Sequence, residues 1–189
     1  LPPWLHQGLV EYLGEDGIKN GIRAKISSWM RYQPFAMPAK GKITGAYVNS
    51  ILAKREAVAA GYQEAIMMDA RGVVSEASGE NIFIVRDGEI CTPPRHTSIL
   101  AGITRDSVLT IAKDLGLTAH EREFTRDLLY TADECFLTGT AAEVTPVREV
   151  DDRAIGTGTT GPITREIQAA YFRATHGEAA RYSGWLTPV

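Results

Sequence analysis

The feature that most constrains this chain is an alternation between two apolar periods. Val48, Ile51, Leu52 and Ala59 fall on one face of a helix, which Gly61 would end as a left-handed cap. Gln63–Asp69 then reads as a strand and Ala70-Arg71-Gly72 as a turn. Ile82–Val85 and Ile90–Thr92 are apolar runs joined through Arg86-Asp87-Gly88-Glu89. Asp-Gly accepts the positive φ that a tight hairpin needs, and Pro93-Pro94 stops the second strand. Val108, Ile111, Ala112 and Leu115 return to helical spacing after Gly102-Ile103-Thr104, and Gly116 ends that helix. Thr125 caps a short helix through Tyr130, and Glu134–Thr138 extends into a turn at Gly139-Thr140. A last helix covers Thr164–Thr175 with Ile167, Ala170, Tyr171 and Ala174 inward. Gly21–Met30 supplies a first strand, followed by an irregular stretch through Pro34 and Pro38. Such alternation predicts a mixed α/β (α+β) domain.

With 189 residues the chain can bury one substantial core, and no repeat or Pro-, Gly- or Ser-rich linker divides it. Apolar residues at 44% and charged residues at 23% exclude a disordered chain. A net charge of −3 with no basic block argues against a nucleic-acid partner, and no apolar stretch is long enough to cross a bilayer. Cys91 and Cys135 belong to no paired motif, so they read as ordinary thiols, and no metal site is expected. The body reads as cytoplasmic. Leu1-Pro2-Pro3-Trp4 looks like the interior of a chain, and no signal segment is visible.

Gly156-Thr157-Gly158-Thr159-Thr160-Gly161 satisfies G-x-G-x-x-G and precedes a helix. Pro162 follows at once, Val150-Asp151-Asp152-Arg153 is too polar for a buried parallel strand, and no second strand follows the helix. A glycine-rich turn is the better reading.

Three other segments carry chemistry. Lys40-Gly41-Lys42-Ile43-Thr44-Gly45-Ala46-Tyr47 offers two amines in a glycine-flanked loop, and a lysine whose pKa falls can attack an aldehyde. Ser75-Glu76-Ala77-Ser78-Gly79-Glu80-Asn81 reads as a small-residue turn with two carboxylates; a buried carboxylate can keep a pyridine nitrogen protonated. Leu100-Ala101-Gly102-Ile103-Thr104-Arg105 is a glycine turn opening a helix, where free N–H groups and the helix dipole suit a phosphate. Spacing alone stops at an α/β domain with a possible anion site, and Lys40 and Lys42 remain equivalent.

The strings KITGAYVNSILAKREA, GYQEAIMMDARGVVSEASGENIFIVRDGEICTPP, SILAGITRDSVLTIAKDLG and DECFLTGTAAEVTPVREVD occur in this order with few gaps. Together they resemble the C-terminal large domain of fold-type IV pyridoxal-phosphate enzymes, specifically the branched-chain amino acid aminotransferases. That resemblance implies a D-amino acid aminotransferase-like pseudo-barrel, pyridoxal 5'-phosphate as cofactor, and amino acids and 2-oxo acids as small-molecule partners. It also implies a homodimer. It sets residues 14–189 as the cofactor-binding domain and 1–13 as an interdomain segment. The smaller N-terminal domain of the family, with its phosphate-binding arginine, has no counterpart here, so the chain is expected to be part of a longer protein and poorly active alone.

Position by position, the resemblance makes Lys42 the catalytic, Schiff-base lysine, because its interval to Tyr47 matches the family motif; Lys40 is the competitor. It gives Tyr47 the cofactor's phenolic oxygen, Glu76 the pyridine nitrogen, and Glu80 a supporting place. Leu100 joins the cofactor-binding positions. Ile103 and Thr104 would hold phosphate through their N–H groups and the Thr104 hydroxyl, with the Thr140 hydroxyl beside them. The backbone of Thr140 and Ala141 would face the substrate carboxylate, with Ala142 nearby. Ala46 stands where relatives often have Asn, and Ala101 where Pro is frequent; neither removes an assigned group. The implied reaction is transamination between leucine, isoleucine or valine and 2-oxoglutarate. Its rivals are a D-amino acid aminotransferase or an aminodeoxychorismate lyase on the same fold, and, outside enzymes, a non-catalytic binding module.

Overall fold

The computed structural model describes residues 13, 14 and 16–187; apart from Leu13, the expected interdomain segment lies outside the described residues. The strands are β1 (Ile22–Ile26), β2 (Glu64–Met68), β3 (Val74–Ala77), β4 (Asn81–Arg86), β5 (Glu89–Thr92), β6 (Ala119–Glu121), β7 (Glu134–Gly139), β8 (Glu143–Val150) and β9 (Arg153–Ala154). The helices are α1 (Val48–Ala59), α2 (Ile103–Asp114), α3 (Arg126–Tyr130) and α4 (Pro162–Thr175).

Among the described residues one sheet runs β3-β2-β1-β8-β7-β4-β5-β6, with β9 added to β8. Its outer edges meet: Val73 bridges Thr125, and the Val74 N–H donates to the Phe124 carbonyl at 2.9 Å, just beyond β6. The sheet is thereby curled into a pseudo-barrel.

Side chains alternate across a strand, so one sequence serves two cores. Ile82, Ile84, Cys135, Leu137, Ile66 and Val147 point inward to a cluster closed by Leu129 of α3. Phe83, Val85 and Phe136 point outward beneath Val108 and Ile111 of α2 and Ile167 and Tyr171 of α4. The Phe83 and Phe136 rings stack at 4.9 Å, which contributes about 0.5–1.5 kcal/mol beyond burial. On the far side, Ala53 and Ala57 of α1 pack against Ala65 and Met67 of β2.

Several sequence expectations need correction. Ser75–Asn81 is not one turn: Val74–Ala77 forms β3, with all four residues buried. The first strand ends at Ile26 rather than Met30, because Ser27 and Ser28 turn away to bond the Glu56 carboxylate. The buried face of α1 is Ser50, Ala53 and Ala57, while Val48 and Ile51 are exposed. Leu115 lies just past the end of α2 and is partly exposed. β6, β8 and β9 were not anticipated. At the rejected glycine pattern, Gly156 and Gly158 have positive φ in a turn. The N–H groups of Ile163 and Thr164 donate to Glu134 at 3.0 and 2.7 Å. The α4 terminus is therefore already filled by the protein's own carboxylate.

Candidate active site

The α2 terminus is built differently. Its N-cap is Gly102, extended at φ −71° and ψ 143°, with no side-chain cap, so the first N–H groups of the helix are left open. Glycine is needed there, since a Cβ at 102 would overlap Asn81 Oδ1. This open terminus borders a cleft of ≈ 220 Å³ lined by Lys42, Asn81, Leu100, Ile103, Thr104, Thr138 and Thr140, among others. Anion-binding N–H groups, two exposed hydroxyl or amine side chains and a small cavity thus converge.

Lys42 reaches the cleft from a short connector between two 3-10 turns, Ala39–Gly41 and Thr44–Tyr47, where it adopts left-handed φ 48° and ψ 37°. A non-glycine residue there is uncommon, and such strain is typical of functional positions. Lys40 is directed elsewhere: its Nζ donates to the Thr97 and Ile99 carbonyls at 2.8 and 2.7 Å. Desolvation lowers the Lys40 pKa.

Glu76 lies on β3 beneath the cleft, 5% exposed. Its Oε1 meets Arg31 Nη2 at 2.6 Å, and its Oε2 accepts from Asn81 Nδ2 and the Leu100 N–H, both at 3.0 Å. Arg31 in turn donates to Ser50 Oγ at 2.8 Å. Burial pushes the Glu76 carboxyl up to about 7, with Arg31 the foremost opposing influence. Arg31 was missed from the sequence because it sits in an irregular stretch 45 residues before its partner. An arginine amid apolar and proline residues was the only available hint. Tyr47 is half-buried at the start of α1, and desolvation raises its pKa, with a further rise from the Glu76 charge.

The structure brings Lys42, Leu100, Ile103, Thr104 and Thr140 to the cleft, with Glu76 joined to it through Asn81 and Leu100. Thr104 is buried, and its side chain bonds the Tyr171 hydroxyl. Ala141 and Ala142 line a second cavity of ≈ 410 Å³ with Lys54, Glu64, Ser78 and Glu80. There Glu64 is clasped by Lys54 and by Ser78 Oγ at 2.5 Å. Glu80 is pushed up to about 8 by desolvation and then by the Glu64 charge.

A carboxylate whose folded pKa is raised contributes stability that is complete below its ordinary 4.5 and lost as pH rises through about 8. Glu80→Gln removes that loss. Its stability relative to wild type is expected to rise between pH 4.5 and 8, by on the order of 1–2 kcal/mol for this half-buried group. Thermal melts of both proteins at pH 5 and pH 9 check this; a constant difference would refute it.

The chain is similar to known proteins. A probable branched-chain-amino-acid aminotransferase of Aquifex aeolicus is 55% identical over 170 residues, 89% of this chain and 55% of that protein. The Escherichia coli K12 branched-chain-amino-acid aminotransferase is 47% identical over 178 residues, 94% of this chain and 58% of its own length. A crystal structure of branched-chain aminotransferase from the thermophilic archaeon Thermoproteus uzoniensis with norvaline superposes with a TM-score of 0.87 at 50% identity. It matches 90% of this chain and 56% of the other. The chain thus spans a little over half the length of the relatives it matches. The amino-transferase class IV family matches residues 10–150. This chain belongs to the amino-transferase class IV family.

Proposed function

We propose that the cleft is the cofactor-binding part of a pyridoxal-phosphate transaminase acting on branched-chain amino acids. The observation that carries this reading is the convergence of Lys42 and the uncapped α2 terminus on one small cavity, with the buried Glu76 joined to it through Asn81 and Leu100. The residues present fit the group: open N–H donors at the α2 terminus suit a phosphate, and a buried carboxylate joined to the cleft through Asn81 and Leu100 suits a protonated ring nitrogen.

When bound, the cofactor supplies an aldehyde that links to amines and a ring that draws electrons from the substrate α-carbon. Lys42 Nζ would hold the cofactor and would move a proton to or from the substrate α-carbon as general base and acid. Glu76, locked by Arg31 and Asn81, would keep a proton on the ring nitrogen. Tyr47 would donate to the phenolic oxygen, Leu100 would border the ring, and Ile103, Thr104 and Thr140 would hold the phosphate. The turn at Thr140, Ala141 and Ala142 receives the substrate carboxylate.

The identities of 47–55% to proteins named branched-chain-amino-acid aminotransferase favour that substrate class over D-amino acids. The same reading includes a homodimer in the cytoplasm, with amino acids and 2-oxo acids as partners. The exposed Trp29, Met30, Phe35 and Ile51 offer apolar surface for association. The test uses the full-length protein with 2-oxoglutarate. Turnover with leucine at least about 100-fold above D-alanine is expected, a gap reachable by side-chain and α-carbon discrimination. Faster turnover with D-alanine would move the assignment.

A further inference from the structure

One buried group in the cleft lacks a partner among the described residues. Thr138 is 1% exposed, and its Oγ1 makes no hydrogen bond among the described residues. Buried hydroxyls are nearly always bonded, since desolvation without a partner is costly. Arg105 Nε and Thr164 Oγ1 are similarly unpartnered, but neither residue lines the cleft, whereas Thr138 does.

The position follows from strand register. Thr138 of β7 stands opposite Asn81 of β4, two rungs beyond the Phe83–Phe136 pair and so on the face that α2 covers. Asn81 is already engaged, its amide donating to Glu76 and to the Leu100 carbonyl at 2.8 Å. The open α2 terminus and Lys42 bring donors to the cleft, and the hydroxyls of Thr104 and Thr140 can donate as well. Glu76, the nearby carboxylate, is taken by Arg31, Asn81 and Leu100. A buried, unpartnered hydroxyl beside such donors can complete an anion site by donating to an incoming acceptor that carries negative charge.

We propose that Thr138 is a further cofactor-binding residue, its Oγ donating a hydrogen bond to a phosphate oxygen of the bound cofactor. This rests on the functional reading above and extends it to a residue of the strand beneath the helix terminus. The test compares dissociation constants of pyridoxal 5'-phosphate and of pyridoxal for the full-length protein, read by cofactor fluorescence. Thr138→Val is expected to bind the phosphate form about 10-fold more weakly, as for one lost charge-assisted bond, and pyridoxal unchanged. Thr138→Ser is expected to stay within about 2-fold of wild type for both ligands. If the valine variant does not fold, Thr138→Cys keeps the size without the strong donor and is read the same way. Unchanged affinity for the phosphate form, or equal loss for both ligands, overturns the role of Thr138 alone. A wild-type protein that binds neither ligand and traps none on Lys42 overturns the functional reading and this role together.

Discussion

Replacing Lys42 by alanine is expected to abolish the visible absorbance of the lysine-bound cofactor and to lower transamination by about 10³-fold or more. The loss combines a covalent anchor with a general base, the latter alone worth about 10²–10⁴-fold. Lys40→Ala is expected to keep the absorbance, because Lys40 Nζ is committed to the Thr97 and Ile99 carbonyls. Its cost is local, about 1–2 kcal/mol of stability from two lost bonds. Borohydride reduction of the full-length holoenzyme followed by peptide mapping separates the two lysines. Label on Lys40, or absorbance surviving in Lys42→Ala, would reverse the assignment.

Removing Arg31 is expected to have the largest effect on stability. Its side chain and that of Glu76 are each 6% exposed and meet at 2.6 Å. Arg31→Met leaves a buried carboxylate facing an apolar surface, which costs about 3–5 kcal/mol in comparable cases. Part of the penalty is avoided if Glu76 takes up a proton, which its pKa of about 7 makes easy. That escape removes the charge a ring nitrogen needs, so activity falls even where the fold survives. Arg31→Lys is not expected to rescue. A single ammonium cannot reproduce the fork that reaches Glu76 and Ser50 together. The double variant Arg31→Met/Glu76→Gln is expected to regain about 2 kcal/mol relative to Arg31→Met, since no unpaired charge remains. Urea unfolding of the wild type, Arg31→Met, Glu76→Gln and the double variant measures this, and strict additivity would refute the pairing as the cause.

The contrast between these two residues shows what a one-dimensional reading can reach. The helix over Val108–Ala112 and the hairpin at Asp87-Gly88 were legible because local period and turn chemistry agree with the final packing. β3 was not: Ser75 and Glu76 look like turn residues, yet both are buried. The Ser98 carbonyl accepts from Ser75 Oγ at 2.7 Å, and Arg31 meets Glu76. A strand covered on both faces loses the alternation that betrays it. α1 misled in the opposite direction, presenting Val48 and Ile51 to the outside and small residues to the sheet. Lys42 was separated from Lys40 by family likeness; the two face different surroundings only once Thr97 and Ile99 are folded against the loop. Arg31 gives only a faint local signal and Thr138 none, because each acquires meaning from a residue more than 40 positions away.

The place of β1 carries a consequence for how the protein is made. This strand joins β2 on one side and β8 on the other, with Ala24 opposite both Glu64 and Val150. A chain emerging from the ribosome can pair β1 with β2 early, but the second edge of β1 waits until residue 150 is released. Until then the edge of a central strand is open in the nascent chain, the kind of surface that invites wrong pairing. The sequence separation of that last pairing also predicts slow closure of the sheet.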